Sequence, residues 1–135
     1  MITVALPIAD RQRSYAFYQE TLGLEPIGEP AEDGVPEPLQ FRLAEGVSLM
    51  LIPKGGFGWV IGDRQVAPAG TSEVLLALTV ASAEQVRLIV ASMRDGGGQV
   101  LVEPAQQEWG FVGVATDPDG HAWQILTVTG SPLRD

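Results

Sequence analysis

Residues 2–10, Ile2-Thr3-Val4-Ala5-Leu6-Pro7-Ile8-Ala9-Asp10, return as residues 74–82, Val74-Leu75-Leu76-Ala77-Leu78-Thr79-Val80-Ala81-Ser82. Three of the nine positions are identical, and three exchange one branched aliphatic for another. Both runs end on a residue type that caps helix N-termini. A repeat separated by about half the chain is too long for a solenoid unit. It points to two copies of one strand–helix–strands module that share a groove where they meet.

Reading outward, Ile2 to Ile8 is apolar almost throughout, as a strand covered on both faces should be. Asp10 caps a helix over about residues 11–22, and Gly23 supplies its left-handed stop. Residues 26–38 hold four prolines and two glycines and read as a loop. Residues 39–43 alternate as a half-buried strand, and Val47 to Ile52 returns as its hairpin partner after Gly46. The glycine-rich stretch after Pro53 reads as a linker with a short edge strand near Trp59 to Ile61. Ser82 and Gln85 have capping-box spacing before a helix carrying Val86, Ile89, Val90 and Met93. Gly96 to Gly98 end that helix. Strands follow at about 99–102, 111–116 and 121–128, with a tight turn at Asp117-Pro118-Asp119-Gly120. The expected class is α+β: duplicated βαβββ modules forming a curved sheet around a groove, with helices on the outer face. Module one spans about residues 1–53, the linker about 54–72 and module two about 73–129 of a single domain.

Composition narrows the function classes. Seventeen acidic residues against eight basic ones give a net charge of −9. That surface repels phosphate backbones, so no nucleic acid partner is expected, while a cationic ligand is favoured. With no cysteine, thiolate nucleophiles, disulfides and cysteine-held zinc are ruled out. The N-terminus enters strand-like sequence at once, so no signal peptide is expected. The longest aliphatic run is far short of the roughly 20 residues that span a bilayer. A cytoplasmic protein without membrane contact is the expectation.

The pattern from Asp10 to Gly23, D-x-x-x-S-x-x-F-Y-x-x-x-L-G, together with Asp117 to Gly120, resembles the glyoxalase/bleomycin-resistance/dioxygenase family, the vicinal oxygen chelate superfamily. The resemblance covers nearly the whole chain. It implies the duplicated fold and a common dimeric state, but not one activity, because the fold hosts lyases, isomerases, dioxygenases, thiol transferases and drug-sequestering proteins. Metal-using members draw four ligands from four strands, usually histidine and glutamate and sometimes glutamine. One lies seven residues before the aspartate capping the first helix, which is Thr3 here, and the repeat carries it onto Leu75. Another lies four residues after the turn glycine, which is Gln124 here, with Met50 as its counterpart after Gly46. None of the four is ionised, and leucine has no donor atom. A methionine thioether suits copper(I) better than magnesium, zinc or iron(II). The resemblance therefore implies a member without the usual metal, and no cofactor is expected.

Strand parity places Ser48, Ala77, Thr79, Gln40 and Arg42 on the same inward face as the quartet. Gln124, which both donates and accepts hydrogen bonds, is the foremost ligand contact. Arg42 either holds an anionic group or pairs with a neighbouring acid such as Glu73. Phe57, Trp59, Trp109 and Phe111 lie at loop–strand junctions, where they stack on a planar ligand or plug the ends of the groove. Glu73 and Glu108 are candidates to meet a cation. His121, the one imidazole, has turn-packing parity, and no catalytic set stands out. The leading expectation is a metal-free, sequestration-type protein for a planar or amphipathic small molecule, acting as a homodimer. The alternative is a glyoxalase-like lyase or isomerase, or a dioxygenase-related enzyme, either cofactor-free or with a divergent metal site. Glu73, Glu108 or His121 would then be its acid–base group.

Overall fold

The structure, a computed structural model, describes residues 1–128. The chain divides into two compact units, Met1–Pro68 and a second beginning at Ala69, each built on one four-stranded sheet.

The first unit runs β1 (Ile2–Ile8), α1 (Arg11–Ala16), β2 (Glu25–Ile27), β3 (Leu39–Ala44), β4 (Val47–Pro53) and α2 (Lys54–Val60). Its sheet order is β1-β4-β3-β2, with β1 parallel to β4 and the other pairs antiparallel. The Asp10 carboxylate starts α1 by accepting from the amides of Gln12 and Arg13, at 2.9 and 3.1 Å. The helix continues as a π-helical stretch, Phe17–Thr21, and Gly23 at φ +68° follows it. One sheet face buries Leu6, Ile8, Leu39, Phe41, Leu49 and Leu51 together with Phe17 and Tyr18 of the helical segment. Tyr18 packs against Phe41 at 5.8 Å between ring centroids, and Tyr15 stacks on Phe41 at 6.1 Å. Each such side chain contributes about 1.5–3 kcal/mol on burial.

The second unit repeats the order as β5 (Leu76–Thr79), α3 (Ala83–Asp95), β6 (Val100–Gln107), β7 (Gly110–Thr116) and β8 (Ala122–Val128). Its sheet order, β5-β8-β7-β6, has the same parallel first pair. Ser82 Oγ accepts from the Gln85 amide at 3.2 Å, and Gln85 Oε1 accepts from the Ala81 amide at 2.9 Å. Val86, Val90 and Met93 of α3 are buried, as are Ala115, Trp123 and Ile125 of the sheet. In the turn after β7, Asp117 Oδ1 accepts from the amides of Asp119 and His121, both at 2.9 Å, and Gly120 has φ +94°. Both modules are thus βαβββ. Among the described residues no helix is long and apolar enough to cross a membrane.

Two expectations are corrected. The proline-rich stretch expected to be a loop contributes to a strand, β2, which contains Pro26. Proline is tolerated there because β2 is an edge strand, where a missing amide breaks no ladder on the outer side. The stretch from Trp59 to Ile61 is not an edge strand: Lys54–Val60 forms α2, and Ile61 caps its end. The fourth strand of module one's sheet is therefore β2, at the far edge from β1.

Candidate functional site

Each sheet has one face packed under its helix and one turned away from it, called here the far face. In the first unit, Met50 on β4 is in register with Ala5 on β1 and Gln40 on β3. In the second, Gln124 on β8 is in register with Ala77 on β5 and Val114 on β7. Ala5 and Ala77 are identical positions of the sequence repeat, so Met50 and Gln124 occupy the same place in their sheets. Both are half-buried. Their strand neighbours Leu49, Leu51, Trp123 and Ile125 are buried on the helix side, which leaves Met50 and Gln124 on the far faces.

The other two members of the quartet are neutral as well. Thr3 is exposed, and its Oγ1 shares a hydrogen bond with Ser48 Oγ at 3.1 Å, across paired positions of β1 and β4. Leu75 lies one residue before β5 and is 54% exposed. Among the described residues no three of His, Cys, Asp and Glu gather as a metal would need. A hydroxyl, a thioether, a carboxamide and an alkyl chain do not fit a divalent ion, because nothing in the set replaces its hydration with charge.

Arg42 forms an ion pair with Glu25 at 3.6 Å, its register partner on β2, with both side chains exposed. The neighbouring acid is thus Glu25, which sequence reading missed together with its strand, and not Glu73. Glu73 is exposed ahead of β5, and Glu108 is exposed in the turn between β6 and β7. A solvated pair such as Arg42–Glu25 is worth at most about 1 kcal/mol and gives way easily to a ligand anion.

The aromatic candidates divide. Phe57 is half-buried and Trp59 is 74% exposed, both on α2. Trp109 is 56% exposed in the turn before β7. Phe111 is buried on the helix side, with the Arg87 guanidinium 4.6 Å above its ring. It is in register with Thr127 and shares the parity of Gly113 and Ala115, which pair with buried Ile125 and Trp123. The far face therefore does not present Phe111, whereas Trp59 and Trp109 are free to meet solutes. His121 is held at the turn through its amide bond to Asp117.

Comparison with known proteins follows the same lines. A sequence model of the glyoxalase/bleomycin resistance protein/dioxygenase superfamily matches residues 1–125. No curated protein sequence matches significantly. A glyoxalase-related enzyme from Fulvimarina pelagi is similar in structure at 25% identity and a TM-score of 0.80, over 94% of this chain and 86% of that one. A hypothetical protein from S. aureus is similar at 25% identity and a TM-score of 0.78, over 94% and 92% of the two chains. A glyoxalase/bleomycin resistance protein/dioxygenase family enzyme from Burkholderia phytofirmans, 18% identical over 94% and 97%, shares the fold at a TM-score of 0.76.

Proposed function

The chain belongs to the glyoxalase/bleomycin resistance protein/dioxygenase superfamily, and from that premise we propose that it is a metal-free binding member that sequesters a small organic molecule. The observation that carries this reading is the neutral donor set, Thr3, Met50, Leu75 and Gln124, at the positions where the family's metal ligands are expected. In its place stand apolar contact surface and a few polar groups, the usual make-up of a small-molecule site. Met50 supplies an adaptable, polarizable contact. Gln124 supplies one donor and one acceptor. Arg42 on the far face of the first sheet is the one cationic group of this set.

The ligand class is planar or amphipathic, with exposed Trp59 and Trp109 as stacking partners. A net charge of −9 favours a cationic ligand and raises its local concentration. Basic aromatic antibiotics are the first class to test. The working form is a cytoplasmic homodimer, as is common in the family.

A thermal-shift screen of basic aromatic compounds, run with metal analysis of the purified protein, tests the reading. A ligand present at 100 times its Kd adds about 2.7 kcal/mol of stability. The expected result is such a shift in protein free of divalent metal and unaffected by chelator. Stoichiometric nickel, zinc, manganese or iron that is lost together with ligand binding on chelation would overturn it.

A further inference from the structure

Helix α2, Lys54-Gly55-Gly56-Phe57-Gly58-Trp59-Val60, has little local support at its start and along its length. Three of its seven residues are glycine. Each costs about fivefold in the helix equilibrium relative to alanine. Its N-cap is Pro53, which makes no side-chain capping bond, whereas α1 has Asp10 and α3 has Ser82. No acid sits in its first turn and no base in its last, and Lys54 stands at the positive end of the helix dipole. None of its residues is buried, while α3 anchors itself through Val86, Val90 and Met93. The one local anchor of α2 is its exit, where the amide of Gly62, at φ +75°, donates to Trp59 O and that of Asp63 donates to Gly58 O, but Asp63 holds φ +63° without glycine's freedom.

The folded conformation does not itself require all of this glycine. Neither Gly55 nor Gly58 has a positive φ. A Cβ at Gly55 would meet nothing within 4 Å, and one at Gly58 would make an ordinary 3.7 Å contact with Val66. Gly56 alone has a packing reason, since a Cβ there would lie 3.3 Å from Ile52 Cγ2. That contact also locates the helix. Ile52 has the far-face parity of Met50, pairs with Pro7 on β1, and lies where α2 packs against β1 and β4.

We infer that α2 is a hinged flap, a helix that melts while its sheet stays folded, lying over the Ile52 end of the Met50 face and gating access to it. The gating role rests on the binding function proposed above; the hinged helix does not. Melting carries Phe57 and Trp59 away from the sheet, and re-forming returns them over a bound molecule.

Hydrogen exchange on the full chain tests the hinge. The bonds to watch are the Ile61 amide to Phe57 O, the Gly62 amide to Trp59 O and the Asp63 amide to Gly58 O, 2.8–3.1 Å long. They should exchange at least about 100-fold faster than the amides of Leu49 and Leu51 in β4. In the double variant Gly55→Ala, Gly58→Ala they should slow about 25-fold, the product of two such exchanges, with β4 unchanged. Exchange as slow as that of β4 in the parent, or no slowing in the variant, overturns the hinge.

Stopped-flow binding of ethidium, a planar cationic dye, tests the gate. Association and dissociation should both slow by up to the same factor of about 25 in the variant, leaving Kd within about twofold. Equal rates in the two proteins overturn the gate. Failure of ethidium to bind the parent counts against the sequestering function and the gate with it, and leaves the hinge to the exchange measurement.

Discussion

Thr3 Oγ1 and Ser48 Oγ lie 3.1 Å apart at paired positions of β1 and β4 and share one hydrogen bond. A hydroxyl in such a bond is a poor candidate to strip water from a cation, and none of Met50, Leu75 and Gln124 is a carboxylate. The protein, incubated with nickel, zinc, manganese or iron(II) and then desalted, is expected to retain far less than one equivalent of any of them. Chelator should leave its melting temperature unchanged. Elemental analysis and a melting curve with and without EDTA make the check.

Gln124 and Phe111 sit in the same sheet on opposite faces, and their substitutions should separate. Gln124→Leu removes a far-face donor and acceptor and is expected to weaken a bound planar cation by about 1 kcal/mol, roughly fivefold in Kd. The fold should lose no more than about 0.5 kcal/mol. Phe111→Leu removes the ring beneath Arg87 on the helix side. It should lower stability by about 1 kcal/mol and leave Kd unmoved. Titration calorimetry and denaturant melts on both variants distinguish the faces. Equal effects on Kd would refute the assignment.

Arg11 fastens the proline-rich segment between β2 and β3 to the start of α1. Its Nε reaches Asp33 Oδ2 at 3.2 Å, its Nη2 donates to Val35 O at 3.0 Å, and its Nη1 lies 2.6 Å from Glu37 Oε1. The Arg11 guanidinium, helped by the Val35 amide, holds the Asp33 carboxyl below its ordinary value of 3.8. A depressed carboxylate stabilises the fold above its unfolded pKa, and that stability fades as pH falls through the folded value. Asp33→Asn should therefore be less stable than the parent at neutral pH. The difference should shrink as the pH drops below 3.8 and close once it passes the lower folded value, where the parent carries a neutral side chain there too. Melting temperatures of the two proteins between neutral pH and acid test this, and a gap that persists in strong acid would refute it.

What the sequence made legible follows from where its signals are local. Asp10 and Ser82 announce their helices because capping chemistry lies within three residues of each. Counting from the turn glycines Gly120 and Gly46, under the family resemblance, placed Gln124 and Met50, and both lie at equivalent positions opposite Ala77 and Ala5 because register follows strand alternation. Strand β2 was hidden because three residues around Pro26 carry no periodicity, and its identity comes from a partner, β3, more than ten residues away. The Arg42–Glu25 pair was hidden with it. Helix α2 was illegible for a different reason: glycine and aromatic residues without an N-terminal capping side chain read as linker, and packing against β1 and β4 helps shape it. The side of the sheet taken by Phe111 depended on the register of β7 against β8, which puts it on the parity of Gly113 and Ala115.

Gly98 is the counterpart to the glycines of α2, a position where the fold leaves no room. It follows α3, and its amide donates to Met93 O at 2.9 Å. A Cβ at Gly98 would run into the carbonyl oxygen of Thr116 on β7. That strand cannot retreat cheaply. The Thr116 amide donates to Gln99 O at 2.9 Å, and Thr116 Oγ1 accepts from the Gln99 amide at 3.0 Å while donating to Asp117 O. Thr116 and Asp117 are both buried, so moving them exposes bonded polar groups without replacing their partners. Gly98→Ala should thus cost about 3 kcal/mol, the upper range for an overpacked site. For a chain of this size that is a fall of roughly 10 °C in melting temperature. Gly55→Ala, by contrast, should be neutral or stabilising. Calorimetry of the two single variants beside the parent decides it, and a Gly98→Ala protein that melts with the parent would show that β7 yields where its hydrogen bonds say it should not.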